Sequence, residues 1–131
     1  DINNLLPPLA VLQALAAELA TPHMDEEVLS LLEEKNRQFS DALQEKEFTT
    51  ALRVDEEFHQ LIVDTANNPY IHSMVEMLQA HVRRLFYYEK IVLREYSVIQ
   101  HEKLISAFRD KNTQELAKVM RANWIYTIEE F

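Results

Sequence analysis

Asp55 and His59 stand four residues apart in the stretch RVDEEFHQLIV, which runs from Arg53 to Val63. On a helix this spacing puts both on one face. That face also carries Leu52, Ile62 and Ala66. Ionisable groups avoid such a face unless they find partners there, because burying a charge alone is costly. Two further segments turn a polar group inward. His101 lies between Val98 and Ile105 on the apolar stripe Val98, Leu104, Ile105, Phe108. Asn123 lies within the stripe Leu116, Val119, Met120, Thr127. A carboxylate, two imidazoles and an amide oxygen form a donor set for zinc, nickel, manganese or iron(II), with water at any open position. A hydrogen-bonded Asp–His core pair would satisfy the same pattern, and the residue types leave both readings open.

A second group is HVRRLFYY, His81 to Tyr88. Arg84 and Arg83, with His81 and Tyr88, could clamp an anion, since guanidinium grips carboxylates bidentately. The alternative is a partly exposed helix whose arginine stems cover apolar surface. His23 reads as a solvated loop residue, and EEKNRQ and QEKE read as solvated helix faces.

Enzyme signatures are incomplete. HEKLI opens like the zinc-protease HExxH, but position 105 is Ile. Glu56 and His59 make one ExxH, whereas a di-iron bundle needs two with further glutamates. The chain contains no Gly and no Cys. Phosphate-cradling loops, thiolate catalysis and cysteine-bound zinc are therefore excluded.

The elements that must position these residues are helical. The 131 residues suit one domain spanning 1–131, and 47% hydrophobic content supports a folded core. Apolar spacing predicts six helices. The first starts at Pro7 or Pro8 and runs to about Ala20. The second runs from near Asp25 to Gln44, and the third from Glu47 to Ala66. NNPY separates the third from the fourth, with Asn67 ending one and Asn68 capping the next. The fourth runs from Pro69 to about Leu93 and the fifth from about Glu95 to Asp110. Asn112 and Glu115 predict a capping box at the start of the sixth. Short connections imply that sequential helices are antiparallel neighbours. The first helix has only Gln13 and Glu18 as polar side chains from Leu5 to Ala20. It should pack on a second subunit or a further domain as well as on its own bundle. No apolar run reads as a membrane span. The net charge of −9 makes this piece a poor nucleic-acid binder by itself. A start at Asp1 suggests a fragment, and the absence of Cys fits a cytoplasmic setting.

With the helices placed, DEEFHQLIVDTANNPYI and QHEKLISAFRDKNTQELAKVM resemble the effector-binding FCD domain of FadR-branch GntR regulators. Asp55, Phe58, His59, an Asn at 67 or 68, His101, Ala107, Asp110, Ala117 and Met120 carry the resemblance, which is close from Asp55 to Asn123. It implies an all-α antiparallel bundle, with six helices suiting the VanR-like subgroup. It also implies a homodimeric regulator whose operator contacts come from an N-terminal winged helix-turn-helix absent from this chain. The domain would sense a small metabolite, often a carboxylate. The family commonly holds a divalent metal through an Asp and three His. Asp55, His59 and His101 match the first three positions, and Asn123 stands where the fourth would be His. The expected function is ligand sensing and dimerisation, not catalysis. The rival readings are a metal-dependent hydrolase on the same ligands and a purely structural dimerisation bundle.

Overall fold

A computed structural model describes residues 2–88 and 93–130, with side chains as far as Asn123. Among these, six α-helices form an all-α bundle: α1 Ile2–Ala20, α2 Glu26–Gln44, α3 Phe48–Ala66, α4 Pro69–Tyr88, α5 Glu95–Arg109 and α6 Thr113–Glu130. A 3₁₀ turn, Thr21–His23, joins α1 to α2.

Local chemistry explains most of the boundaries. Asp25 caps α2 by accepting from the Val28 amide at 2.9 Å. Asn67 ends α3 in the left-handed conformation, at φ 54°. Asn68 Oδ1 accepts from the Tyr70 and Ile71 amides and starts α4. Asn112 accepts from the Glu115 amide at the start of α6. The reciprocal half of the expected capping box is replaced, because the Asn112 amide donates to Ala107 O at 3.0 Å.

Three expectations need correction. The first helix begins at Ile2, with Pro7 and Pro8 inside it. Buried Ile2, Leu6 and Leu9 anchor that early turn. The carbonyls that the two prolines cannot serve belong to residues 3 and 4, both exposed to water. The fourth helix is described to Tyr88, and Leu93, its expected end, is non-helical; residues 89–92 lie outside the described residues. Sequence neighbours are also not always packing neighbours. α1 packs mainly on α6, α3 and α4, whereas α2 packs on α3 and α5. α3 and α4 touch only sparingly, because a two-residue turn fixes their ends without aligning their lengths.

α1 is therefore covered by its own bundle over about half of its residues. Leu6, Leu9, Ala16 and Ala17 are fully buried, and Val11, Leu15 and Leu19 remain exposed. Ile2–His23, at a mean hydropathy of 1.3, is long and apolar enough to cross a bilayer by length and composition alone, a test that buried core helices also pass. Half of that window is buried among the other helices. The core stripes hold as expected in α3, α5 and α6: Leu52, Ile62, Ala66, Val98, Leu104, Ile105, Phe108, Leu116, Val119 and Met120 are all buried. The side chain of Thr127, assigned to the last stripe, lies outside the described residues.

Candidate metal centre

α3 presents Asp55 and His59 inward from consecutive turns, and α5 brings His101 against them. His101 Nε2 lies 2.8 Å from Asp55 Oδ1, and His59 Nε2 lies 3.6 Å from the same oxygen. One donor atom from each residue falls within 4.8 Å of the other two. Two ligands on one ion, each about 2.0–2.1 Å from it, stand roughly 2.9–3.4 Å apart for right-angle to tetrahedral geometry. The two separations measured from Asp55 Oδ1 bracket that range.

Packing restricts the rings. Phe58 stacks on the His101 ring, with centroids 4.0 Å apart and planes at 18°. Phe39 of α2 closes on His101 at 5.1 Å, and the two imidazoles meet edge-on at 5.5 Å. His59 and His101 are 2% and 0% exposed.

Electrostatics favour an ionised Asp55 here. Burial opposes ionisation of Asp55, but His59 and His101 together outweigh it and hold the carboxyl well below the usual range. Burial pushes His101 down, against the pull of Asp55. A buried carboxylate beside two imidazoles is an environment that a divalent cation stabilises. The donor set and its spacing therefore fit a metal ion. Asp55, His59 and His101 would hold it, and the ion would neutralise Asp55 and supply open positions for an oxygen ligand.

Two buried polar residues beside the site escaped the sequence reading. Asn36 of α2 lies inside the run taken as a solvated face, yet it is buried. Its amide oxygen is 2.8 Å from His101 Nδ1, and its NH₂ group donates to Val98 O at 3.3 Å. Gln79 of α4 is also buried and shares a cavity lining with Asp55. The signal was available in both cases. Asn36 continues the stripe Leu29, Leu32, Phe39, and Gln79 continues Ile71, Val75, Val82, Phe86, at helical spacing.

The remaining predicted site residues fall in three places. Asn123 is buried on α6, which packs on α5 and α1. Arg83 lines a cavity of about 240 Å³ with Asp55, Glu56, Gln79, Phe86 and Tyr87. Its Nε donates to both Glu56 oxygens, at 2.9 and 3.0 Å. His81, Arg84 and Tyr88 line a different cavity, together with Leu5 and Leu85. There Arg84 Nη2 meets His81 Nδ1 at 2.6 Å. The structure thus separates the two arginines that the sequence grouped. Glu57, the other acid beside the ligand pair, is engaged by Lys35 and Arg53 at 2.9 Å each.

Six helices around a buried carboxylate and two imidazoles define an all-α bundle with a metal-type donor set. The chain belongs to the FCD domain family, which matches residues 8–124. It is 24% identical over 132 residues to the HTH-type transcriptional regulator YdhC of Bacillus subtilis (strain 168). That match covers 98% of this chain and 59% of the regulator, so the chain spans little more than half of its relative. Among solved structures, E. coli McbR/YncC superposes with a TM-score of 0.83 at 20% identity, over 98% of this chain and 68% of the other. Streptococcus agalactiae GntR gives 0.76 at 22% identity, over 96% and 58%. These structural likenesses establish the fold, an FCD-type helical bundle.

Proposed function

We propose that this chain is the ligand-sensing and dimerisation domain of a cytoplasmic GntR-family transcription regulator, of the FadR branch and VanR-like subgroup. It binds a divalent metal through Asp55, His59 and His101, with the Asn123 oxygen as a fourth donor. A small carboxylate-type metabolite binds beside the metal and controls operator binding by an N-terminal domain outside this chain. The observation that carries this reading is the buried triad, one wall of whose Asp55 is also a wall of the cavity holding Arg83. A carboxylate there can reach both the metal and a guanidinium. The family match and the HTH-type relative support a regulator rather than an enzyme. Against hydrolysis, Glu56 and Glu57 are committed to Arg83, Lys35 and Arg53, which leaves neither as a ready base.

The subgroup assignment is supported by the six helices found among the described residues. Dimerisation is supported by exposed apolar residues on α1 and α4, two helices that pack together.

The test is metal analysis of the purified domain, followed by zinc and nickel titration of chelator-stripped protein. One divalent ion per chain is expected, with its binding abolished in His59→Ala and a melting temperature that falls on chelation. Stripped protein that takes up neither ion, and whose melting temperature ignores chelator, would leave the structural-bundle reading in place. Hydrolysis of a small ester or amide that is lost in His59→Ala would instead favour the enzyme.

A further inference from the structure

Asn36 was not among the residues expected at this site, and its geometry assigns it a role there. Its amide is oriented by the Val98 carbonyl. That carbonyl can only accept, so the Asn36 NH₂ must face it, at 3.3 Å. The amide oxygen is then the atom 2.8 Å from His101 Nδ1. The reversed amide would set two acceptor oxygens against each other at Val98. With the amide oxygen as acceptor, Nδ1 of His101 must carry a hydrogen. The other ring nitrogen, Nε2, is the one turned toward Asp55, at 2.8 Å. Phe58, stacked at 4.0 Å, keeps the ring from turning over.

We propose that Asn36 is a positioning residue for the metal centre: it fixes the hydrogen of His101 on Nδ1 and thereby presents Nε2 as the donor. The proposal rests on the metal reading above. A ligand histidine held by an acceptor at its far nitrogen keeps its orientation and gains basicity, and loss of such a partner typically weakens metal binding by roughly 10- to 100-fold. Asn36 belongs to α2, while the ligands come from α3 and α5. The second helix therefore joins the site without touching the ion. Asn36 also lines a groove of about 670 Å³ between α2 and α5, on the Nδ1 side of His101. Substitution there can be relieved into the groove instead of being trapped in the core.

The experiment uses the domain as purified, stripped with chelator and reloaded with zinc. Long-range proton–nitrogen correlation of the histidine rings should show a hydrogen on His101 Nδ1 in both forms. An Nδ1 without hydrogen in the wild-type protein overturns the proposal, whether or not zinc binds. In zinc titrations, Asn36→Leu removes the acceptor and should lose roughly 10- to 100-fold in affinity. Asn36→Asp keeps an acceptor and should remain close to wild type or bind more tightly. A folded Asn36→Leu with wild-type zinc affinity also overturns the positioning role. Failure of the wild-type domain to bind zinc removes the metal reading, and the purpose assigned to Asn36 with it, even where the ring hydrogen sits on Nδ1.

Discussion

His101 is held from three directions, by Asp55 at one nitrogen, Asn36 at the other and Phe58 against its face. A buried side chain so constrained has one orientation, which is what a metal ligand requires. Asp55 and His59 were legible in the sequence because both come from one helix, where spacing alone decides what shares a face. Arg83 and Arg84 show the limit of that reasoning. Adjacent residues on a helix point about 100° apart, so only one could face the triad. Arg83 shares a cavity with Asp55, and Arg84 lines another with His81 and Tyr88. A carboxylate effector must draw Arg83 away from Glu56, but it gains a charged hydrogen bond in return. Arg83→Ala should weaken binding of a carboxylate effector by more than tenfold in calorimetry, and Arg84→Ala should change it little. The opposite ranking would move the effector to the cavity beside Leu5.

At the scale of elements, a chain without glycine must still end its helices. Among the described residues, three take positive φ: Lys46 at 58°, Asn67 at 54° and Lys111 at 54°. Lys46 and Lys111 each close a helix end with paired bonds. Glu47 and Lys46 donate to Ala42 and Leu43, and Asn112 and Lys111 donate to Ala107 and Phe108. Asparagine tolerates this conformation, but lysine does so at a cost of about 1–2 kcal/mol. Lys111→Gly should therefore stabilise the domain by roughly 0.5–1 kcal/mol in urea denaturation, after the greater freedom of unfolded glycine is subtracted. No gain at either Lys46 or Lys111 would mean that the lysine side chains contribute contacts of their own.

The α2–α3 pair carries a pH signature. Lys35 chiefly, against an opposing effect of burial and with the help of Arg53, holds the Glu57 carboxyl below its usual range. Its folded-state value is lowered, so its stabilising contribution is complete above the unfolded value of 4.5 and fades as pH falls through the folded value. The groups are substantially exposed, which limits the effect to about 0–1 kcal/mol. Glu57→Gln should be slightly less stable than wild type at neutral pH, and the difference should shrink below about pH 4.5. A difference that persists at pH 3 would point to lost packing instead of lost charge.

At the scale of the whole molecule, the exposed apolar residues are arranged in rows. Tyr70, Met74 and Met77 follow one another along α4 at spacings of four and three, and Val11, Leu15 and Leu19 run along α1 at spacings of four. Leu5 of α1 shares a cavity with Leu85 and Tyr88, so α1 begins beside the end of α4. Such rows on two packed helices suit a second copy of the bundle, as the expected homodimer requires. The double variant Leu15→Glu, Met77→Glu should sediment as a monomer where the wild type sediments as a dimer. Zinc binding should be retained, because neither residue touches the triad. A variant that remains dimeric would place the interface elsewhere.

The sequence by itself determined the all-α class, nearly all the helix boundaries, and the shared inward face of Asp55 and His59. These depend on local chemistry: apolar periodicity, capping side chains, and the i,i+4 geometry of a single helix. It also identified His101 and Asn123 as inward-facing, since each interrupts an apolar stripe. Tertiary structure alone decided that α3 and α5 bring Asp55, His59 and His101 within one ion's reach, that Asn36 backs His101 from α2, and that Arg83 and Arg84 serve different cavities. It also decided that α1 is covered by α3, α4 and α6. The reason is physical. Spacing along a chain fixes the direction of a side chain about its own helix axis, but the neighbour it meets depends on how whole helices pack, and that is chosen by the summed burial of many residues far apart in sequence.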